Sequence, residues 1–238
     1  MKSNLIWTAG ILSISSLLWM GSGGAEDMSF LNSLEREIIK IVEEARPAVV
    51  SITTEPLSPR WWKHFEDEDF PAWVQDFLKS DLGSCTRRSS GSGFIIDSEG
   101  HILTTEDVIG QAQEVTVELA DGRRLPARVV GRDVYFNIAL LKVEEKNLPY
   151  LPLGKSDEIK AGSWVITLGR PFGLATSPSW GIVSGLSRSG LGIASYEELI
   201  QITAPINPGD SGGPVLNSKG EVIAIFSVAL FFPHFHRL

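Results

Sequence analysis

A single cysteine, Cys85, stands among 238 residues, so an intrachain disulfide framework and a cysteine-rich zinc site are both excluded. Cations are scarce as well. The 21 Lys and Arg face 29 Asp and Glu, and a net charge of −8 argues against a nucleic-acid partner, whose grip on phosphate rests on cationic contacts. Histidine is rarer still, with only His64, His101, His234 and His236 to serve as base or ligand. No internal repeat or low-complexity tract is present. What remains is 43% hydrophobic and 21% charged, with 23 Gly and 13 Pro, the make-up of an ordinary folded chain of one large domain or two small ones.

The longest apolar run lies at the start. Lys2 supplies one positive charge, Leu5 to Met20 is apolar apart from Thr8, Gly10 and scattered serines, and Gly21-Ser22-Gly23-Gly24-Ala25 follows with small residues. The run falls short of the roughly 20 residues that a bilayer span needs. Residues 1–25 therefore read as an export signal cleaved after Ala25, with an uncleaved anchor over residues 5–20 as the alternative. Either way the body of the chain is expected to be exported.

Beyond this segment, Leu31, Leu34, Ile38, Ile41, Val42 and Ala45 recur at three- and four-residue spacing, which predicts one helix within residues 26–46, stopped by Pro47. Strands follow. A first group comprises Ala48–Ile52, Gly93–Ile96, Ile102–Thr104, Glu114–Leu119, Ala127–Val130 and Ile138–Val143, with turn signals at Asp97-Ser98-Glu99-Gly100 and Asp121-Gly122. A second comprises Trp164–Leu168, Gly181–Ser184, Leu199–Ile202, Pro214–Leu216 and Val222–Ile225. Short strands at regular spacing, with no helices alternating between them, predict an all-β sandwich or pair of barrels. The first would span 47–148 and the second 149–238. A long insertion, 56–92, interrupts the first, with Trp61, Trp62, Phe65, Phe70, Trp73 and Phe77 around the acidic run Glu66-Asp67-Glu68-Asp69. Trp73, Val74, Phe77 and Leu78 have helical spacing, and local packing onto the barrel is preferred to a partner surface.

Chemistry concentrates in Asn207-Pro208-Gly209-Asp210-Ser211-Gly212-Gly213-Pro214. The glycines permit a tight turn that presents Ser211 as a nucleophile while the amides of Gly209 and Ser211 converge as an oxyanion hole, with Asp210 between them in the candidate set. The six residues Gly-Asp-Ser-Gly-Gly-Pro match the serine loop of chymotrypsin-like proteases. Gly91-Ser92-Gly93-Phe94-Ile95-Ile96-Asp97, Gly100-His101-Ile102-Leu103-Thr104, Ile138-Ala139-Leu140-Leu141-Lys142, Pro171-Phe172-Gly173-Leu174, Gly181-Ile182-Val183-Ser184, Arg188-Ser189-Gly190-Leu191-Gly192-Ile193 and Gly220-Glu221-Val222-Ile223 narrow the likeness further. From about Ser33 to about Ile225 the chain resembles the protease domain of the HtrA (Deg) family of periplasmic serine proteases. That resemblance implies two perpendicular six-stranded barrels with a catalytic cleft between them, peptide substrates, a periplasmic location, no cofactor and usually a trimer. A homo- or hetero-trimer with related subunits is expected here.

The register makes the departures legible. Where the family has Thr-Asn-Asn-His-Val, with the general-base histidine, this chain has Thr104-Thr105-Glu106-Asp107-Val108. Where it has Thr-Asp-Ile-Ala-Leu-Leu, with the orienting aspartate, this chain has Phe136-Asn137-Ile138-Ala139-Leu140-Leu141. Ser211 alone is kept. A carboxyl in water titrates at about 3.9, some three units below a base matched to neutral pH, so it takes the serine proton poorly and returns none to the leaving amine. Loss of a triad member leaves ~10³–10⁴-fold catalysis over water. The expected outcome is a catalytically impaired or inactive protease homologue in which an Asp107···Asn137 side-chain pair links the barrels. A working endopeptidase with a non-standard base, and a truncated fragment, are the alternatives.

None of the histidines offers a replacement base. His101 precedes Asp107 by six residues and reads as structural, and His234-Phe235-His236 is a weak metal signal without a neighbouring acid or thiol, so no metal site is expected. Cys85 reads as a bystander or an interchain thiol. After Ile225 the family continues Asn-Thr-Ala-Ile, a strand that lines the primary pocket, pairs with substrate and leads to a PDZ domain. This chain has Ile225, Phe226 and Ser227 in the substrate-binding positions, with Phe226 expected to fill part of the pocket. The sequence then stops at Leu238, so the second barrel is expected to be incomplete and the PDZ domain absent.

Overall fold

The computed structural model describes residues 23–54, 90–112, 114–171, 174–189, 198–205 and 207–227. Outside them lie most of the segment expected to direct export, nearly all of the long insertion with its aromatic residues, Cys85 and His64, and the tail with His234 and His236. The chain divides into a short unit, Met1–Arg36, and a main unit from Glu37 onward.

Helix α1 runs Gly23–Ala45, starting earlier than the apolar periodicity alone indicates. Pro47 ends it as expected, sitting in a short 3-10 turn, Arg46–Ala48, where its missing N–H costs nothing. Within the main unit Ile38, Ile41 and Val42 pack on the core and Ala45 is buried. Leu31 of the predicted stripe is 54% exposed. No helix among the described residues is long and apolar enough to cross a membrane.

Strands β1 (Val49–Thr54), β2 (Ser90–Ile95), β3 (His101–Thr104), β4 (Val115–Glu118), β5 (Arg124–Asp133) and β6 (Ile138–Val143) close a barrel in the order β1-β2-β3-β6-β5-β4. Alternation sets the inside: Val115 and Val117 of β4 and Ala139, Leu141 and Val143 of β6 point inward, while β1 is buried along almost its whole length. The insertion ends before Ser90, because Ser90, Gly91 and Ser92 pair with Thr53, Ile52 and Ser51 as part of β2. Between β3 and β4 a single helical turn, α2 (Glu106–Ile109), carries the position expected of the base.

The second sheet holds β7 (Trp164–Gly169), β8 (Ser177–Arg188), β9 (Leu199–Ile202), β10 (Pro214–Leu216) and β11 (Val222–Ile225) in the order β11-β10-β7-β8-β9. Among the described residues it is a five-stranded half-barrel that does not close. Its own core is Val165, Val183, Val215, Ile223 and Phe226. Ile166, Leu168, Leu216 and Val222 face the other way and join the barrel residues in one larger cluster, so both sheets share a core. Each such aliphatic side chain, fully buried, contributes about 1.5–3 kcal/mol.

Candidate active site

The loop before β10 is built around two glycines in the left-handed region, Gly209 (φ 96°) and Gly212 (φ 87°). A side chain at 212 would run into the Ser92 carbonyl and the Thr104 hydroxyl, so the loop tolerates nothing larger there. The turn is closed twice: Asp210 N–H donates to the Asn207 carbonyl (3.1 Å), and Asn207 N–H donates to Asp210 Oδ2 (2.8 Å). Gly213 N–H then donates to the Asp210 carbonyl (2.9 Å), and Ser211 stands half-exposed at the apex. The Asp210 amide is thus spent inside the turn and drops out of the oxyanion set. Among the described residues the N–H groups of Gly209 and Ser211 make no hydrogen bond, which leaves those two as the donors the loop can offer.

Asp210 carries an unresolved charge. Its Oδ1 is buried without a partner, and the same atom blocks any side chain at Gly169. Burial pushes the Asp210 carboxyl above its ordinary value, and the Asn207 amide offsets this only in part. A raised acid value in the folded state means stability that is complete below the unfolded value and is lost as pH rises through the folded one. Asp210→Asn keeps an acceptor for Asn207 N–H and removes the charge. Melts across the mildly acidic range are expected to show the variant gaining on the natural chain as pH rises above about 4 and then holding a constant lead.

At the position expected of the base, Asp107 is exposed on α2, and among the described residues its carboxylate makes no hydrogen bond or ion pair. Asn137 does reach it, but not as the sequence suggests. Asn137 Oδ1 accepts the backbone N–H of Asp107 (3.0 Å), and Asn137 Nδ2 donates to Ser227 Oγ (2.8 Å). The expected side-chain pair between Asp107 and Asn137 is therefore not formed. The reason is economy of donors: the one amide group of Asn137 satisfies a main-chain donor and a partly buried hydroxyl, and the Asp107 carboxylate stays in water, which solvates it better. The cross-link between the sheets is Asn137–Ser227, from the start of β6 to the residues after β11.

Asn137 also has a positive φ of 52°, which asparagine tolerates better than other residues with a side chain. Asn137→Ala is expected to lose both hydrogen bonds and add about 1–2 kcal/mol of left-handed strain. Asn137→Gly is expected to recover the strain but not the bonds, and urea melts of the pair separate the two contributions.

The expected substrate strand is largely committed to the fold. Phe226 N–H donates to the Gly213 carbonyl (2.8 Å), its carbonyl accepts Gly212 N–H (2.7 Å), and its ring is only 7% exposed in the second core. Ile225 faces Pro214 across β10 and β11 and packs on the larger core. Ser227 holds Asn137 through its side chain, and of the three residues Phe226 is the one whose N–H and carbonyl are both spent inside the fold.

His101 is settled by Asp97. Its Nδ1 lies 2.6 Å from Asp97 Oδ2, and Asp97 Oδ1 accepts the amides of Glu99 and His101. Burial raises the Asp97 carboxyl, but these contacts outweigh it and the net direction is downward. The ring faces Lys142 across the β3–β6 ladder and ties the turn before β3. Among the described residues no group of three or more His, Cys, Asp or Glu side chains is placed to hold a metal.

Sequence reasoning missed Arg170. Its guanidinium, with the side chain 8% exposed, donates to the carbonyls of Glu118, Leu119 and Leu174 and pairs with Glu118 Oε1 (3.2 Å), tying the end of β7 to the end of β4. The signal was there in a charged residue immediately before Pro171, inside a segment otherwise apolar.

Comparison with known proteins agrees with this geometry. Residues 91–225 match the trypsin-like peptidase domain family. A DegP-like periplasmic serine endoprotease of Pseudomonas fluorescens is 42% identical over 205 residues, covering 80% of this chain and 43% of that protein. Its namesake in Chlamydia muridarum is 34% identical over 212 residues, covering 82% and 43%. Among solved structures, the HtrA-type protease AlgW with a tripeptide shares 34% identity at a TM-score of 0.64, covering 79% of this chain and 52% of that one. The Deg5 crystal structure shares 27% at 0.63, covering 82% and 86%. The chain spans about two fifths of the length of the curated relatives it matches. With a closed barrel, a second half-barrel and a Gly-Asp-Ser-Gly-Gly-Pro turn before β10, the chain belongs to the trypsin-like peptidase domain family, and its relatives in sequence and structure are DegP-like and HtrA-type proteins.

Proposed function

We propose that this chain is an exported, periplasmic HtrA-like protein that binds extended peptide segments at the nucleophile turn and hydrolyses them poorly or not at all, serving related proteases in protein quality control as a binding or modulating subunit. One observation carries the reading: Asn137 spends its amide on Asp107 N–H and Ser227 Oγ, so nothing orients Asp107 toward Ser211, and the Asp107 carboxylate stays exposed. A serine with no positioned proton acceptor is a weak nucleophile, whatever the quality of the donors beside it. The turn itself keeps what binding requires, namely the unspent N–H groups of Gly209 and Ser211. Peptide as the ligand class is supported by the tripeptide and decapeptide complexes of its HtrA-type neighbours. The periplasmic location is supported by the names of its relatives and by the apolar leader.

The test is casein cleavage by the purified chain beside Ser211→Ala. Equal, background rates are expected. A rate that Ser211→Ala abolishes would overturn the reading in favour of a working endopeptidase.

A further inference from the structure

We infer that Ser92 is the positioning residue of the nucleophile turn: it holds two carbonyls of the turn at once and thereby aims the N–H groups of Gly209 and Ser211. The inference rests on reading residues 207–213 as an oxyanion turn. Ser92 lies in β2 with no exposed surface. Its backbone N–H donates to the Ser211 carbonyl (2.7 Å), and its Oγ donates to the Gly209 carbonyl (2.8 Å). Its own carbonyl accepts the Thr104 hydroxyl (2.7 Å), which pins the strand from β3. A fourth bond comes from the main chain of Arg170, whose N–H donates to Ser92 Oγ (2.8 Å).

The partners decide where the hydroxyl proton goes. An amide N–H can only donate and a carbonyl can only accept, so Arg170 takes a lone pair of Ser92 Oγ and the single hydrogen is left for Gly209. Holding the Gly209 carbonyl fixes the whole Gly209–Asp210 peptide plane, because that unit is rigid and trans. The Asp210 N–H on its opposite side then falls onto the Asn207 carbonyl, as observed at 3.1 Å. With the carbonyls of 209 and 211 both tied to one residue, the Asp210–Ser211 peptide between them, which carries the Ser211 N–H, is held from both ends, and Gly209 is held on its carbonyl side. The tie matters because Gly209 sits at φ 96°, and a glycine peptide left free turns over at little cost. The same hydroxyl couples the turn to the end of β7, where Arg170 is itself anchored on Glu118 and Leu119.

The adjacent strand supplies a control. Ser51 pairs directly with Ser92 in the β1–β2 register, is 2% exposed and has an Oγ without a partner. Ser51→Ala removes a buried serine hydroxyl from the same ladder and touches no turn carbonyl.

The experiment titrates the ¹⁵N-labelled full chain with a tripeptide ending in a free α-carboxylate and follows the amide signals of Gly209 and Ser211, with melting curves to confirm that each variant is folded. The natural chain and Ser51→Ala are expected to bind equally, with both signals moving together. Ser92→Ala is expected to bind at least about tenfold more weakly, with both movements diminished. Ser92→Cys, which keeps the shape and a weak donor, is expected in between, and it carries the test if Ser92→Ala fails to fold. Undiminished affinity and signal movement in folded Ser92→Ala, or in Ser92→Cys where that variant is the one that folds, would overturn the role of Ser92 while leaving the oxyanion turn intact. No movement of either signal in the natural chain would overturn the oxyanion reading and the inference with it.

Discussion

Replacing two residues together, Asp107→His with Asn137→Asp, is expected to convert the natural chain into an endopeptidase, with kcat/KM on casein-derived peptides rising at least about 10³-fold and falling back on addition of Ser211→Ala. The scale follows from triads acting as units: removing one member from an active enzyme costs roughly 10⁴–10⁶ in rate, and restoring one without the other recovers little. The structure accommodates both changes. Asn137 Oδ1 already accepts Asp107 N–H, and a carboxylate can continue to do so. On its other side Asn137 donates to Ser227 Oγ, and a serine hydroxyl can reverse its role and donate to a carboxylate instead. An aspartate also tolerates the positive φ at 137. The new imidazole would replace a side chain that is exposed on α2. The rate of the double variant should climb with pH through the ordinary histidine range, near about 6.5. A folded double variant with no gain would mean that the turn no longer stabilises a developing oxyanion.

The largest expected loss of stability comes from Arg170→Leu, at about 3–5 kcal/mol, the usual cost of removing one partner from a buried ion pair. Its side chain is 8% exposed and that of Glu118 17%, so water screens the pair little. Removal also takes a donor from the Glu118 carbonyl where β4 ends and leaves the Leu119 carbonyl with Gly122 N–H alone. For a chain of this length the melting temperature should fall by roughly 10 °C. Arg170→Lys is expected to recover only a small part, because a single ammonium cannot reproduce the guanidinium fork. Arg124 holds Glu118 from the other side at 2.8 Å but is 75% exposed on its side chain, which makes it a weak substitute. Adding Glu118→Gln to Arg170→Leu should therefore restore part of the loss, because the worst remaining defect is a half-buried charge left with one exposed partner. Thermal and urea melts of the set measure this, and a loss below about 1 kcal/mol for Arg170→Leu would show the pair to be effectively solvated.

Both lobes were readable from pattern because strands alternate side chains with period two and end at glycine, proline and aspartate. Every predicted strand forms, within a few residues. The misses have physical causes. Helix α2 has one turn, too short to display any period. Strand β5 begins at Arg124 and runs through Pro126, where the reading began only at Ala127, because a proline without a donor argues against a strand unless its N–H is not needed there. Strand β8 extends to Ser177 and Arg188 through residues largely exposed, where burial leaves no alternation to read.

The sequence by itself determined the all-β class and marked the Gly-Asp-Ser-Gly-Gly-Pro turn, Asp107 and Asn137 as the candidate site, since these readings depend on local turn chemistry and on register. Tertiary structure alone decided how those residues are used. Asn137 turned its amide to Ser227, ninety residues away, and not to the Asp107 carboxylate, because a partly buried hydroxyl gains more from a donor than an exposed charge already in water does. It also placed Arg170 and Ser92 at the joint between the sheets, where polar groups from separate strands meet away from solvent. Hydrogen bonds at such long sequence separation are settled by which donors and acceptors packing has left unsatisfied.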